Sequence, residues 1–401
     1  MHRVARIFTA LTLTLSLVFG SVACEQEKES KELTVDEAVL KGKRALSSGD
    51  GIDANRYFKY AREKDGEDEA AAFGVMLAQI MGMFNFLDDL SAFDGLFAVD
   101  PDDIEPEPGP NTGDAIDNVL EGSALLAFGE AEDAYRLLAP AREVEFPLKS
   151  YELEIDGLTV LDLGGEFDKS DVYVFGALVA LFNGVFHITD SHSLDFNLGN
   201  LVIPPIDFQD DPLGTLAGLS ETLRIILSDP YYPNFLLMED DGAESMQRAG
   251  IELGNTFDRL YQFFNQLTLE RDGQANDQFR YIDVNGNQRY DADEEPVVLF
   301  GQTLQAQEAM AFKAVCGKLR NALWEGSSAD ENPQVDTIDT TTINQLLILL
   351  GVADEPLLPD LPFGLNIGQY FSDPTPTGLR GLVEALADVL DDIADAAAEA
   401  A

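Results

Sequence analysis

Side-chain oxygens recur at short, regular intervals in one stretch of the chain, YIDVNGNQRYDADEE (281–295). Counted from Asp283, they fall at offsets of 0, 2, 4, 8 and 11 residues, and a backbone carbonyl is available at offset 6. Calcium binds roughly six to eight oxygens at about 2.3–2.6 Å, on a loop that wraps around the ion. The spacing therefore predicts a structural Ca²⁺ site with six contributors: Asp283, Asn285, Asn287, the backbone carbonyl of Arg289, Asp291 and Glu294.

The same stretch resembles the EF-hand calcium loop. EF-hand loops place a glycine at the sharp turn, where this chain has Gln288, and we expect Gly286 to take up the bend instead. The flanks, 279–282 and 297–300, favour strands rather than the helices of an EF-hand. The resemblance then implies an ion that stabilises a loop between two strands, as in extracellular bacterial proteins. An acidic turn that carries no metal is the alternative.

The sequence carries few signals of catalytic chemistry. It contains no G-x-S-x-G elbow, no P-loop and no dinucleotide-binding fingerprint. His187 and His192 are five residues apart, which does not match a helical zinc-binding pair, and we interpret them as the polar end of a buried helix. Cys316 lies in an apolar helical pattern typical of a buried structural thiol. We therefore expect a protein that is not an enzyme.

The composition is strongly acidic. Across 401 residues, 73 Asp and Glu face 25 Lys and Arg, which gives a formal net charge of −48. Nucleic-acid binding and electrostatic docking on anionic lipid both require basic surfaces, so the charge argues against both classes of partner. The apolar fraction of 45% is ordinary for a folded protein, and the length predicts two or three domains at about 150 residues each.

The first residues have the order of a secretory signal. A positive start is followed by an apolar run at 7–19, then by small residues and Cys24. As a helix, 13 residues rise about 20 Å, which is too short to span a bilayer.

The end of this segment, SVAC (21–24), resembles a bacterial lipobox. The resemblance implies cleavage of residues 1–23 and a membrane partner reached through a lipid on Cys24. With Glu25 next in the chain, it implies an outer-membrane lipoprotein facing the periplasm or the surface, held by a polar tether over 24–33. A plain signal that is cleaved near Ala23 is the alternative.

Residues 34–64 carry the signals of two helices separated by SSGDG (47–51). The small residues Gly42 and Ala54 allow two antiparallel helices to approach closely, and Phe58 fills the groove between them. This pattern resembles a tetratricopeptide (TPR) helix pair, and a weaker copy lies at 114–142. A generic helical hairpin is the alternative.

The segment 67–93 is helical in pattern and rich in Met and Phe. Its methionines, Met76 and Met83 among them, are expected in the core. A groove that accepts an apolar ligand or a partner helix is the alternative.

The second half of the chain mixes strands and helices. A hairpin is predicted at 151–155 and 158–163 around Asp156-Gly157. The apolar stretch 169–188, with Asp171 as its cap, is expected to be a central buried helix, with a membrane span as the alternative. Further helices are predicted at 213–228, 243–270, 303–325, 340–351 and 377–398.

The predicted fold class is mainly α with a minor β part (α+β). The predicted organisation is a signal over 1–23, a tether over 24–33, a TPR-like domain over 34–145 with a Pro-rich loop at 99–114, and an α+β domain over 146–401 with the calcium loop at 283–294. 

The favoured function is that of a non-enzymatic, lipid-anchored scaffold with a protein partner and structural calcium. The residues assigned to the interaction are Gly42, Ala54, Phe58, Met76, Met83 and Phe86. The alternative is a periplasmic lipoprotein that binds a small apolar ligand, serving a transporter.

Overall fold

The computed structural model describes the chain in segments: residues 33–91, 113, 124–140, 145–149, 152–155, 158–162, 164–196, 227, 230–270, 277, 279–299, 302–324, 339, 341–342, 344–345, 367–381 and 384. These residues are mainly helical and include small antiparallel sheets. The predicted class, mainly α with a minor β part, is therefore confirmed.

The first two helices have strong caps. Helix α1 (Val35–Leu46) begins at Thr34, whose hydroxyl accepts from the Glu37 backbone N–H while the Glu37 carboxylate accepts from the Thr34 N–H. After a turn, helix α2 (Gly51–Lys64) is capped by Asp50. The cap residues satisfy N–H groups that the helix itself leaves unpaired, which is why both helices begin close to the predicted positions.

Helix α3 (Glu69–Ser91) packs against α2 and against helix α4 (Leu125–Leu138). Phe58 of α2 is held between two glycines. A Cβ atom would lie 2.6 Å from the Phe58 ring at Gly42 of α1 and 2.3 Å from it at Gly74 of α3. The close approach of α1 and α2 therefore depends on the missing side chain at residue 42, as the sequence predicted.

Four short strands follow. The outer pair, β1 (Phe146–Leu148) and β4 (Gly165–Phe167), is antiparallel and encloses the predicted hairpin of β2 (Glu152–Ile155) and β3 (Leu158–Asp162). The hairpin is confirmed at the place where the Asp-Gly pair predicted it.

Helix α5 (Lys169–Asp190) starts one turn earlier than its predicted cap. The cap is Asp168, not Asp171: its carboxylate accepts from the backbone N–H groups of Ser170 and Asp171. Asp171 is the third residue of a capping box, and its Oδ2 accepts from the Asp168 N–H at 2.7 Å. Asp171 is fully buried and also accepts from the Phe279 N–H, so it links the helix start to a distant strand.

By length and composition, α5 is the one helix in the described residues that is apolar enough to cross a membrane. More than half of its most apolar segment is buried inside the fold, where it packs against α4 and helix α6 (Gly242–Leu267). Its buried Asn183 donates to the Phe128 carbonyl of α4. The helix thus has the central position predicted for 169–188.

The predicted calcium loop lies between two strands of the last described sheet. Strands β5 (Arg280–Tyr281), β6 (Val297–Leu299) and β7 (Gln302–Leu304) form one antiparallel sheet, followed by helices α7 (Ala306–Trp324) and α8 (Ile367–Ser372). The helix predicted from residue 303 starts later, because residues 302–304 pair with β6. The Glu308 side chain then accepts from the Gln305 N–H at the true helix start.

One core joins the two predicted domains. The ring centroid of Phe73 on α3 lies 5.1 Å from that of Phe146 and 6.0 Å from that of Phe175. Phe175 in turn lies 5.4 Å from Phe279, next to β5. The boundary predicted at residue 145 therefore crosses continuous packing, and the strands that hold the candidate loop are fixed to that core.

Several predictions lie wholly or largely outside the described residues. They are the signal and Cys24, the loop at 99–114, the start of the second helix pair before residue 124, and the helices at 213–228, 340–351 and 377–398. The side chain of Phe86 lies outside them as well.

Candidate calcium loop

The predicted loop connects β5 to β6, and Asp283 organises its first turn. Asp283 Oδ1 accepts from the backbone N–H groups of Gly286 at 2.7 Å and Asn287 at 3.1 Å. Its Oδ2 accepts from the Gln288 N–H at 2.9 Å. The carboxylate therefore lies inside the turn, as expected for the first ligand of such a loop.

The bend uses two left-handed residues instead of one. Gly286 has φ of +74° and Gln288 has φ of +56°. Gly286 takes up part of the bend as expected, and Gln288, at the position of the usual EF-hand glycine, is left-handed as well. A residue with a Cβ pays about 1–2 kcal/mol for this conformation, and the hydrogen bond from the Gln288 N–H to Asp283 offsets part of that cost.

Three further predicted oxygen side chains, those of Asn285, Asn287 and Asp291, face the same interior. The amide nitrogens of Asn285 and Asn287 donate to Asp291 Oδ2 at 2.9 and 2.7 Å. The Asn287 side-chain oxygen accepts from the backbone N–H of Arg289, whose side chain is exposed. These amide hydrogen bonds favour the charged carboxylate and lower the pKa of Asp291.

At the end of the loop, the acid that points into the protein is Glu295 and not Glu294. Glu294 is exposed, whereas Glu295 is fully buried and its Oε2 accepts from the Asp291 N–H at 3.1 Å. Burial raises the pKa of Glu295, and the carboxylates of Asp283 and Asp291 raise it further. The cause is the strand that follows: inward side chains alternate back from Leu299 through Val297 to residue 295.

Two tyrosines connect the loop to the core. The ring centroids of Tyr281 on β5 and Tyr290 in the loop are 5.7 Å apart, and Tyr281 is fully buried. Burial raises the pKa of Tyr290 to about 12, and the nearby Glu295 carboxylate adds to the shift. The loop is therefore packed against the core through these two rings.

The residues present fit calcium better than a transition metal. Within the described segments, no three His, Cys, Asp or Glu side chains form a compact metal cluster. The loop instead combines carboxylates with the amides of Asn285 and Asn287, an all-oxygen set of the kind that Ca²⁺ prefers. To bind the ion, the two amides must present their oxygens in place of the N–H groups that now neutralise Asp291.

Five of the six residues assigned to protein interaction lie in the core, and the side chain of the sixth, Phe86, is outside the described residues. Gly42, Ala54, Phe58 and Met76 are buried, and Met83 is almost completely so. Their assignment as a contact surface is therefore wrong: they are small or apolar side chains that determine how the helices pack. The exposed apolar side chains on α1, α2 and α4 are instead Leu40, Ile52 and Leu126.

Two of the side chains rejected as catalytic, Cys316 and His192, have structural surroundings. Burial raises the pKa of the free thiol of Cys316 to about 12, which keeps it protonated and unreactive. His192 Nε2 accepts from the Leu379 N–H at 2.9 Å, so its Nδ1 carries the proton and donates to the Ile188 carbonyl. Both ring nitrogens are therefore engaged within the protein.

One buried ion pair had no signal in the sequence. Arg259 of α6 donates to Glu132 of α4 at 2.6 Å and to the Gly176 carbonyl of α5 at 2.7 Å, and its guanidinium lies 3.7 Å from the centre of the Tyr135 ring. The two charged residues are separated by 127 positions. Spacing along the chain could not have revealed them, and the pair connects three helices.

Comparison with protein-family models, with curated proteins and with solved structures finds no match to this chain.

Proposed function

We propose that this chain is a non-enzymatic, lipid-anchored protein of the bacterial cell envelope. It acts as a protein-interaction module, and bound calcium stabilises its fold. The observation that carries the proposal is the arrangement of the loop, in which Asp283, Asn285, Asn287 and Asp291 surround one interior between two strands of a sheet.

A structural rather than regulatory role for the ion follows from the flanks of the loop. β5 and β6 are short strands fixed to the aromatic core, and no helix pair flanks the loop to move when calcium binds. The ion would neutralise carboxylates that otherwise repel one another at the end of a sheet. Calcium outside the cytoplasm is rarely scarce, so a permanent structural ion suits an envelope protein.

The anchoring rests on the lipobox-like sequence that ends at Cys24. The interaction role rests on the helices near the N-terminus of the mature chain, which bury their small and aromatic residues and expose Leu40 and Leu126. A strongly acidic chain also favours basic or neutral protein partners over nucleic acid.

The test is a pull-down from envelope extract with the mature protein tethered through residue 24, followed by native mass spectrometry. We expect a co-eluting protein that the double variant Leu40→Glu/Leu126→Glu no longer captures. The matched control is Met310→Glu, which changes an equally exposed apolar residue on α7 and should leave capture intact.

The outcome that would contradict the interaction role is a bound small molecule with no co-eluting protein. It would favour the alternative, a ligand-binding lipoprotein that serves a transporter. Such a ligand would have to enter beside Met76 and Met83, which are buried on α3.

A further inference from the structure

We infer that Glu295, rather than Glu294, supplies the carboxylate that closes the calcium site. The inference rests on the proposed calcium loop and names the ligand that binds the ion from the side of the core. It changes the sequence-derived ligand set at one position: an EF-hand-like loop would close at residue 294, and this chain closes one residue later.

Glu295 is buried, and no described cationic side chain acts on its carboxylate. Glu295 is 0% exposed, and within the described part of the chain its Oε1 has no hydrogen-bond partner. An ionised carboxylate in such a position is costly unless a cation or a set of donors compensates it. Calcium bound in the loop would provide that compensation. Glu294, by contrast, is exposed to water and needs none.

The carboxylate of Glu295 points toward the loop. The backbone N–H of Asp291 holds the other oxygen of Glu295, Oε2, at 3.1 Å, which places the carboxylate beside a ligand of the loop. Asp283, the first ligand, is the other acid that acts on Glu295 directly. Three carboxylates thus surround the loop interior. Asp283 lies at the start of the loop, Asp291 in its second half and Glu295 just before β6.

The backbone makes a tight turn between Asp291 and strand β6. The N–H groups of Glu294 and Glu295 both donate to the Asp291 carbonyl at 2.9 Å, which forms a tight turn after the last loop ligand. Glu294 lies in this turn and is exposed, and Glu295, which follows it, is buried. Only Pro296 separates Glu295 from Val297, the first residue of β6, so an ion bound by Glu295 would be held next to that strand.

The experiment compares Glu295→Gln with Glu294→Gln in the mature protein. Both variants remove one charge, keep the side-chain size and differ by one position. Calcium affinity is measured by titration calorimetry, and terbium is used as a luminescent calcium substitute sensitised by Tyr281 and Tyr290. We expect Glu295→Gln to weaken calcium binding at least about tenfold, an effect typical of a disturbed metal site, and Glu294→Gln to change it less than about threefold.

The results distinguish a failure of the Glu295 assignment from a failure of the proposed calcium site. If the unaltered protein binds neither calcium nor terbium, the proposed calcium site itself fails. If it binds calcium and Glu294→Gln loses affinity about tenfold, the assignment of Glu295 is overturned whatever Glu295→Gln does, and the site stands. Melting in chelator checks folding: Glu295→Gln should melt no lower than the unaltered protein there, because it removes an uncompensated buried charge.

Discussion

At the scale of the residue, the loop shows what spacing can and cannot predict. The offsets predicted that Asp283, Asn285 and Asn287 converge, but the convergence comes from a turn with left-handed Gly286 and Gln288 rather than from an extended arm. Glu295 was missed because two acids stand side by side, and the choice between them depends on which face of β6 is buried. Counting backwards from Val297 in steps of two would have found it.

A single missing side chain also controls the first helix pair. In Gly42→Ala, the new Cβ would lie 2.6 Å from the Phe58 ring, and that ring cannot retreat because Gly74 of α3 contacts its other side. We expect a loss of about 1–3 kcal/mol in the free energy of unfolding, typical of overpacking in a core. Denaturation in urea measures it.

The matched control is Gly129→Ala on an exposed position of α4, where a Cβ would meet nothing within 4 Å. Alanine favours a helix over glycine by roughly 0.5–1 kcal/mol, so this variant should be neutral or slightly more stable. An alanine at residue 42 that is tolerated as well as the one at 129 would show that the helices do not pack as described.

At the scale of the element, local signals predicted the helices and strands well where those signals were strong. The capping box at Thr34 and the Asp-Gly pair in the hairpin depend on neighbouring residues, and both elements formed as expected. Strand β7 was missed because residues 302–304 are held by pairing with β6, which a helical pattern in the sequence does not reveal. The start of α5 at residue 169 was predicted, but its cap was assigned to Asp171 instead of Asp168, because the sequence offers two acids and the capping box uses both.

The buried pair between α4 and α6 gives a test of how these elements are connected. Glu132→Gln would leave the Arg259 guanidinium buried without its anionic partner, and we expect the free energy of unfolding to fall by about 3–5 kcal/mol. The double variant Glu132→Gln/Arg259→Met should recover most of that loss, because an apolar side chain needs no counter-charge. Thermal and urea unfolding measure both.

The control pair is Arg248 and Glu244 on the exposed side of the same helix, α6. Arg248→Met should cost at most about 1 kcal/mol, because water screens exposed ion pairs. Equal losses at the two pairs would contradict the conclusion that the buried pair connects α4 to α6.

At the scale of the whole molecule, one aromatic core extends across the boundary that composition and pattern had placed at residue 145. Phe73, Phe146 and Phe175 pack together although they come from a helix, a strand and a second helix. The sequence predicted the two helices but not the strand β1, and the shared core depends on contacts between distant residues that periodicity does not encode. The candidate calcium loop lies against the same core through Tyr281 and Tyr290.

This arrangement predicts that calcium stabilises the entire mature chain and not the loop alone. A ligand that binds only the folded state adds about 2.7 kcal/mol to the free energy of unfolding at a hundredfold excess over its Kd. For a chain of this size, that gain should raise the melting temperature by several degrees. Magnesium at equal concentration serves as the ionic control, because it demands a smaller octahedral site than a flexible oxygen loop provides.

The most direct test of the account is the melting temperature of the mature protein in calcium and in chelator, for the unaltered chain, Asp283→Ala and Asp293→Ala. Asp293 is an exposed acid of the same loop outside the ligand set. We predict that calcium raises the melting temperature of the unaltered protein and of Asp293→Ala and leaves that of Asp283→Ala unchanged. An unaltered protein that melts at the same temperature in calcium and in chelator would contradict the calcium-stabilised fold.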